Sequence, residues 1–226
     1  MKDRAKSLIN PILYSHARRY NTSTIVASMG RSGSTMLCRA ACKGLLGFDD
    51  SILNHKLSNQ YLKEAWVLTE ETYNPGFIYK THDYPPTQLP NFCKVLFTYG
   101  DPFDIAVSVY NQTKALGEGW YKEHLEHFKK PYQPLKKIFT HDVLGLEEQF
   151  DSWSAPQSFP ILRINYQDIW AHKARIDAFL GYKIILPAQK TRISSMEDLS
   201  AEQKTALVAT YSKLRDKIFK ADTAKD

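Results

Sequence analysis

The residues best suited to chemistry lie in one turn, Met29-Gly-Arg-Ser-Gly-Ser-Thr35. It sits between a short β-branched run, Thr22-Ser-Thr-Ile-Val-Ala-Ser28, and an apolar stretch of helical character, Met36-Leu-Cys-Arg-Ala-Ala-Cys-Lys43. A strand that enters such a turn and opens a helix builds an anion site. The N–H groups of the first helical turn lack intrahelical partners, and the helix dipole favours negative charge beside them. Gly30 and Gly33 allow the backbone to bring those groups close to a phosphate. Ser32, Ser34 and Thr35 add hydroxyl donors, and Arg31 adds a planar cationic fork. A bare glycine turn would read as a plain strand-to-helix connection; this one reads as an anion cradle.

The turn is neither of the two common nucleotide loops. Only two residues separate Gly30 from Gly33 and no lysine precedes the Ser/Thr, so G-x-x-x-x-G-K-[ST] fails, and so does G-x-G-x-x-G. Further along, Lys80 and His82 stand two residues apart at the end of Phe77-Ile-Tyr-Lys-Thr81. Side chains so spaced on an extended strand share a face, and at the carboxyl edge of a parallel sheet that face looks into the ligand crevice. A lone strand-end histidine is ordinarily bonded to a neighbour. With Lys80 beside it and an anion cradle upstream, His82 becomes a candidate for catalysis.

Arg31-Ser32-Gly33-Ser34-Thr35 fits the pattern [KR]-[ST]-G-[ST]-[ST] position for position. Here the chain resembles the PAPS-dependent sulfotransferases, as a small bacterial-type member, since their 5′-phosphosulfate loop has that form. Three more segments resemble the family in its own order: Lys80-Thr-His82 with Pro85 after it, Asp104-Ile-Ala-Val-Ser108, and Tyr166-Gln-Asp168-Ile169. The resemblance runs from about Thr22 to Arg192. It implies a three-layer α/β fold, a central mostly parallel sheet flanked by helices, with a P-loop-like nucleotide site.

The implied reaction moves a sulfuryl group from PAPS to a hydroxyl or amine of a small-molecule or glycan acceptor, releasing PAP, with no metal. His82 would be the general base, with Asp83 next in line. Arg31 and Lys80 would neutralise charge on the oxygen between sulfur and phosphate. Gly30, Arg31, Ser32, Gly33, Ser34 and Thr35 would hold the phosphosulfate, and Ser108 the 3′-phosphate. An unperturbed imidazole pKa of about 6.5 suits a proton acceptor near neutrality.

One position departs from the pattern. Eight residues before Ser108, where the family has an arginine for the 3′-phosphate, stands Gly100. Losing a guanidinium there could cost about 2 kcal/mol or more of donor binding. Lys190 and Arg192 are the candidate substitutes. The departure sustains an alternative, a weakened or non-catalytic PAP-binding protein. A P-loop kinase is a poorer rival, since the loop offers neither its lysine nor Mg²⁺ ligands.

Between residues 110 and 145, Trp120, Tyr121, His124 and several lysines form a candidate acceptor wall or lid, in which aromatics could stack on a sugar or phenol and lysines could recruit an anionic glycan. His124 with His127 reads as a surface pair rather than a zinc site. Cys38 and Cys42, one helical turn apart, read as core-facing.

These residues need a scaffold. Strands are expected at 22–28, 77–81, 94–99 and 159–165. Helices are expected at 5–20 with a break at Pro11, at 36–43 ending at Gly44, and at 55–72, where Leu57, Tyr61, Leu62, Ala65 and Leu68 keep a helical spacing. Asp101 as N-cap and Pro102 at the first position announce another. Further helices are expected at 146–154, 166–180 and 199–218, the last with Ser200 and Gln203 as a capping pair. Alternating strands and helices imply parallel pairing with right-handed crossovers.

The 226 residues suit one domain, 1–226, with a basic helical arm over 1–20. A content of 43% hydrophobic and 24% charged residues excludes a disordered or collagen-like chain. Three cysteines argue against a disulfide framework, and no run approaches the ~20 apolar residues of a membrane span, so a cytoplasmic location is expected. The arm has five basic residues against Asp3 alone, most of the net +6, which disfavours nucleic acid as a partner.

Overall fold

The structure is a computed structural model describing residues 15, 17–47, 60–190 and 196–223. Five strands, β1 (Ser23–Ser28), β2 (Leu62–Glu64), β3 (Ile78–Thr81), β4 (Cys93–Tyr99) and β5 (Ile161–Asn165), form one sheet in the order β2-β3-β1-β4-β5. Every pairing is parallel. The fold is α/β, as the resemblance implied.

Alternation along the strands divides the interior in two. Ile25 and Ala27 of β1, Tyr79 of β3, and Val95 and Phe97 of β4 belong to one core. It is covered by helices α2 (Pro102–Leu116), α3 (Glu118–His127), α4 (Leu146–Ser154) and α6 (Ala201–Thr223). Val26, Ile78, Leu96 and Leu162 face the other way, under α1 (Ser34–Leu46) and α5 (Lys173–Leu180). The sheet is thus the middle of three layers, and β1 is buried along its whole length.

The chain leaves β1 through α1 toward β2 and β3 on one flank, whereas β4 leads through α2 toward β5 on the other. The adjacent β1–β4 pair is therefore where the connections diverge, and their carboxyl ends open a crevice. Two helix N-termini, of α1 and α2, start there.

Three expected elements are revised. The helix after the turn does not stop at Gly44 but continues to Leu46, ended by Gly47 in the left-handed conformation at φ 74°. Gly44 lies inside it because a Cβ there would collide with the Lys183 carbonyl. In the expected 55–72 helix, residues 62–64 are instead strand β2, in register with Ile78–Lys80. Pairing at the sheet edge overrides the apolar spacing, and residues 55–59 lie outside the described residues. The 166–180 segment is a short turn at Tyr166–Asp168 followed separately by α5.

Two caps stand as read. The Asp101 side chain accepts from the Phe103 N–H, and Ser200 and Gln203 bond each other's backbone N–H groups reciprocally. Cys38 and Cys42 are buried in the core beneath α1. Most of the N-terminal arm lies outside the described residues. Among the described residues, no helix is long and apolar enough to cross a membrane.

Candidate active site

The turn after β1 is built on left-handed backbone, with Gly30 at φ 71°, Arg31 at 45° and Gly33 at 86°. A Cβ at Gly30 would come within 2.5 Å of the Phe128 ring, and one at Gly33 within 2.6 Å of the Tyr166 ring. Conformation and space both require glycine at these two positions. Arg31 holds the same conformation with a side chain, a local cost of the kind that clusters at functional sites. Gly33 is the N-cap of α1 and no side chain caps that end, so the first-turn N–H groups remain for an anion.

One cleft of about 580 Å³ collects most of the residues singled out from the sequence: Arg31, Gly33, Ser34, Thr35, Lys80, His82, Ser108 and Lys190. The volume suits a nucleotide-sized ligand. Arg31 Nε donates to Ser108 Oγ at 2.9 Å, and Nη2 to Gln112 Oε1 at 3.5 Å, so the guanidinium joins the turn to α2.

Two hydroxyl or amide groups of the turn are already engaged. Ser32 is buried and its hydroxyl donates to the Thr98 carbonyl at 3.0 Å, while Thr98 Oγ1 donates to the Ser32 carbonyl at 2.7 Å. The expectation that the Ser32 hydroxyl meets phosphate is revised: it staples the turn to β4. The Gly30 N–H points at Ser28 Oγ, 3.3 Å away. The open hydroxyls are those of Ser34 and Thr35.

His82 lies just beyond β3, its ring stacked on Phe128 at 5.0 Å. Nδ1 stands 3.0 Å from both the carbonyl oxygen and Oγ of Ser28. A carbonyl can only accept, so Nδ1 carries the proton and Nε2 keeps its lone pair. Burial pushes the imidazole pKa down to about 4; the bond to the Ser28 carbonyl opposes this, while nearby Lys80 and His127 add to it. The ring is neutral at neutral pH, with its basic nitrogen free of that bond. This revises the expected value near 6.5. Gln149 holds the segment by donating from Nε2 to the His82 carbonyl.

Lys80 also lines the cleft, with its ammonium 3.2 Å from Glu64 Oε1, the residue beside it in the β2–β3 register. Asp83 is not available as a second base. It is buried, its carboxylate accepts from the Leu68 and Tyr84 N–H groups, and Lys129 pairs with it at 2.5 Å.

His124 and His127 are not a surface pair. His124 is buried and stacked on Trp120 at 4.8 Å, and both imidazoles approach His82, at ring separations of 6.3 and 6.2 Å. Burial lowers the pKa of each, that of His124 to about 3. Trp120, His124 and His127 lie on one face of α3, a periodicity that could have revealed them. Ser28 gave no signal in the sequence, because its role depends on a partner at the end of another strand. Among the described residues no group of three or more His, Cys, Asp or Glu could hold a metal.

At Gly100, a Cβ would meet only ordinary contacts, Ser32 and Tyr166 each at 3.8 Å. Lys190 reaches the cleft, and Arg192 lies outside the described residues.

No protein-family model and no curated protein matches the chain. It is similar to the crystal structure of retinol dehydratase in complex with androsterone and inactive cofactor PAP, at 20% identity and TM-score 0.42, over 87% of this chain and 66% of that one, just short of two thirds. A second retinol dehydratase structure, with retinol and PAP, shows 18% identity and TM-score 0.41 over 90% and 70%. A sulfotransferase from Alicyclobacillus acidocaldarius shows 13% identity and TM-score 0.37 over 83% and 90%. Structures solved with PAP, and one named as a sulfotransferase, are thus among those the chain is similar to.

Proposed function

We propose that the chain transfers a sulfuryl group from PAPS to a hydroxyl acceptor. The observation that carries this reading is the shared cleft, which brings together an anion turn, an Arg31–Ser108 pair and a neutral imidazole whose Nε2 is free of the Ser28 bond. In-line transfer needs alignment and charge neutralisation more than covalent help.

The N–H groups at the start of α1, with Ser34 and Thr35, hold the 5′-phosphosulfate. His82 Nε2 takes the acceptor's hydroxyl proton as its oxygen bonds to sulfur. The bond from sulfur to the phosphate's bridging oxygen breaks, with Arg31 and Lys80 balancing the charge left on that oxygen, and PAP departs. The proton then passes from His82 to solvent. Ser108 with Arg31 faces the 3′-phosphate, supported by Lys190, which lines the same cleft.

Purified protein given PAPS and a panel of alcohols and phenols is expected to form PAP. His82→Ala should lower turnover about 10²-fold or more while leaving PAP affinity and folding intact. Undiminished turnover in that variant removes His82 from the base role. Gly100 favours one second reading, a nucleotide-binding protein without turnover, which calorimetry would reveal as PAP binding with no PAP formation.

A further inference from the structure

One residue after His82 stands a buried carboxylate that the reaction does not use. Asp83 Oδ2 accepts from the Leu68 N–H at 2.9 Å and Oδ1 from the Tyr84 N–H at 2.8 Å. A carboxylate so enclosed needs a counter-charge, and Lys129 supplies it with Nζ 2.5 Å from Oδ1. Lys129 reaches that point from a backbone that favours glycine. α3 ends with the Lys130 N–H donating to the Leu125 carbonyl and the Lys129 N–H to that of Glu126, both at 2.9 Å. In this Schellman arrangement Lys129 takes the position that glycine usually fills, at φ 54° with a side chain attached. Strain of this kind persists where a side chain is needed, and glycine has no ammonium to offer.

The residue before Lys129 touches both halves of the site. The Phe128 ring stacks on His82, 5.0 Å between centres and 20° between planes, and it lies against Gly30 so closely that no Cβ fits there. Phe128 is therefore the spacer between the imidazole and the anion turn. It is pinned from the next residue, because Lys129 is tied to Asp83 and Asp83 follows His82 in the chain.

We infer that Lys129 is a positioning residue for His82: paired with Asp83, it clamps Phe128 between the imidazole and the anion turn and cancels the carboxylate's charge beside the base. This rests on the sulfuryl-transfer reading for what His82 does, and adds the device that holds it. The charge effect has a sign. Burial holds the His82 pKa low, Lys80 and His127 add to this, and Glu64 opposes it. His124 also approaches the ring, Arg31 shares the cleft, and α4 brings only the uncharged Gln149. An Asp83 carboxylate stripped of its cation would favour the imidazolium, so His82 would keep its proton to higher pH.

Lys129→Gly is the informative variant, since it suits the backbone while removing the ammonium. The His82 imidazole is titrated by NMR in the protein without donor, its signal identified by its loss in His82→Ala. The midpoint should rise by about one pH unit in Lys129→Gly, and stay in place in Lys129→Arg and in the double variant Lys129→Gly with Asp83→Asn. PAP formation from PAPS at neutral pH should fall about 10-fold in Lys129→Gly and recover in Lys129→Arg. A midpoint unmoved in Lys129→Gly, a rise that persists when Asp83 is also replaced, or turnover at the wild-type level overturns the inference and leaves Lys129 a plain helix end. Lys129→Gln carries the same measurements if the glycine variant does not fold. A protein whose His82 titrates as expected, but which neither binds PAP nor consumes PAPS, keeps the charge pair and defeats the sulfuryl-transfer reading instead.

Discussion

His82 Nδ1 and the Ser28 carbonyl oxygen, 54 residues apart in sequence, stand 3.0 Å apart at the carboxyl edge of the sheet. Ser28 ends β1, and Gly30 follows two residues later, its N–H turned back to Ser28 Oγ. The imidazole and the anion turn are therefore fixed to the same strand end. That bond assigns the proton to Nδ1 and leaves the lone pair on Nε2, and it keeps the imidazole in register with the turn. Positioning of this kind is what a displacement at sulfur requires.

The first consequence is a pH–rate profile. With the His82 pKa lowered to about 4 by burial, the neutral form prevails from weakly acidic pH upward. For the free protein, kcat/KM should rise with pH through about 4 and then run level across neutrality. A rising limb centred near 6.5 would show an imidazole as solvated as a free one, and would remove burial from the account.

Stability should follow pH with a definite sign. The unfolded chain protonates His82 and His124 near 6.5, whereas the folded chain resists until about 4 and about 3. The unfolded state therefore binds more protons between those limits, and stability is lost as pH falls below 6.5, not as it rises. Tm should drop from pH 7 to pH 5, and His124→Phe, which removes one of these groups, should flatten the decline. An unchanged slope in that variant would mean His124 stays protonatable in the folded protein.

Gly100→Arg is expected to strengthen PAP binding. The backbone there does not demand glycine, since a Cβ would have Ser32 and Tyr166 at 3.8 Å and nothing nearer. The position is buried and directly precedes Asp101, the N-cap of α2, beside Tyr166, which lines the cleft. A guanidinium reaching the 3′-phosphate should tighten PAP about 10-fold in calorimetry, with the gain shrinking at high salt. No gain, in a variant that remains folded, would place the 3′-phosphate elsewhere.

Four of the five strands were legible in the sequence because β1, β3, β4 and β5 are short runs with β-branched residues, and glycine, proline or aspartate follows within a few residues of β1, β3 and β4. The 55–72 segment was misread because Tyr61, Ala65 and Leu68 are buried at a spacing that suits a helix, while edge pairing with β3 decided residues 62–64. At the site, Arg31, Lys80, His82 and Ser108 were recognisable by type and spacing. What the sequence concealed was allocation: Ser32 turned to Thr98, Lys80 paired with Glu64, and His124 buried and His127 half-buried beside the His82 ring. Each depends on which side chain is near across the fold, and neither periodicity nor motif carries that.

The last prediction concerns charge balance at the 3′-phosphate of the proposed donor. Arg31 Nε reaches Ser108 at 2.9 Å, and Lys190 lines the same cleft, so both can face a dianion bound there. Charged hydrogen bonds contribute about 1.5–3 kcal/mol each where they form. Lys190→Ala should therefore weaken PAP about 10-fold, and Arg31→Ala about 10²-fold, since Arg31 serves the phosphosulfate side as well. Adenosine 5′-phosphosulfate, which lacks the 3′-phosphate, separates the two roles. Its affinity should fall in Arg31→Ala but stay nearly constant in Lys190→Ala and in the double variant Lys190→Ala with Arg192→Ala. If Lys190→Ala weakens both nucleotides equally, Lys190 acts on the shared 5′ end, and Gly100 has no substitute there.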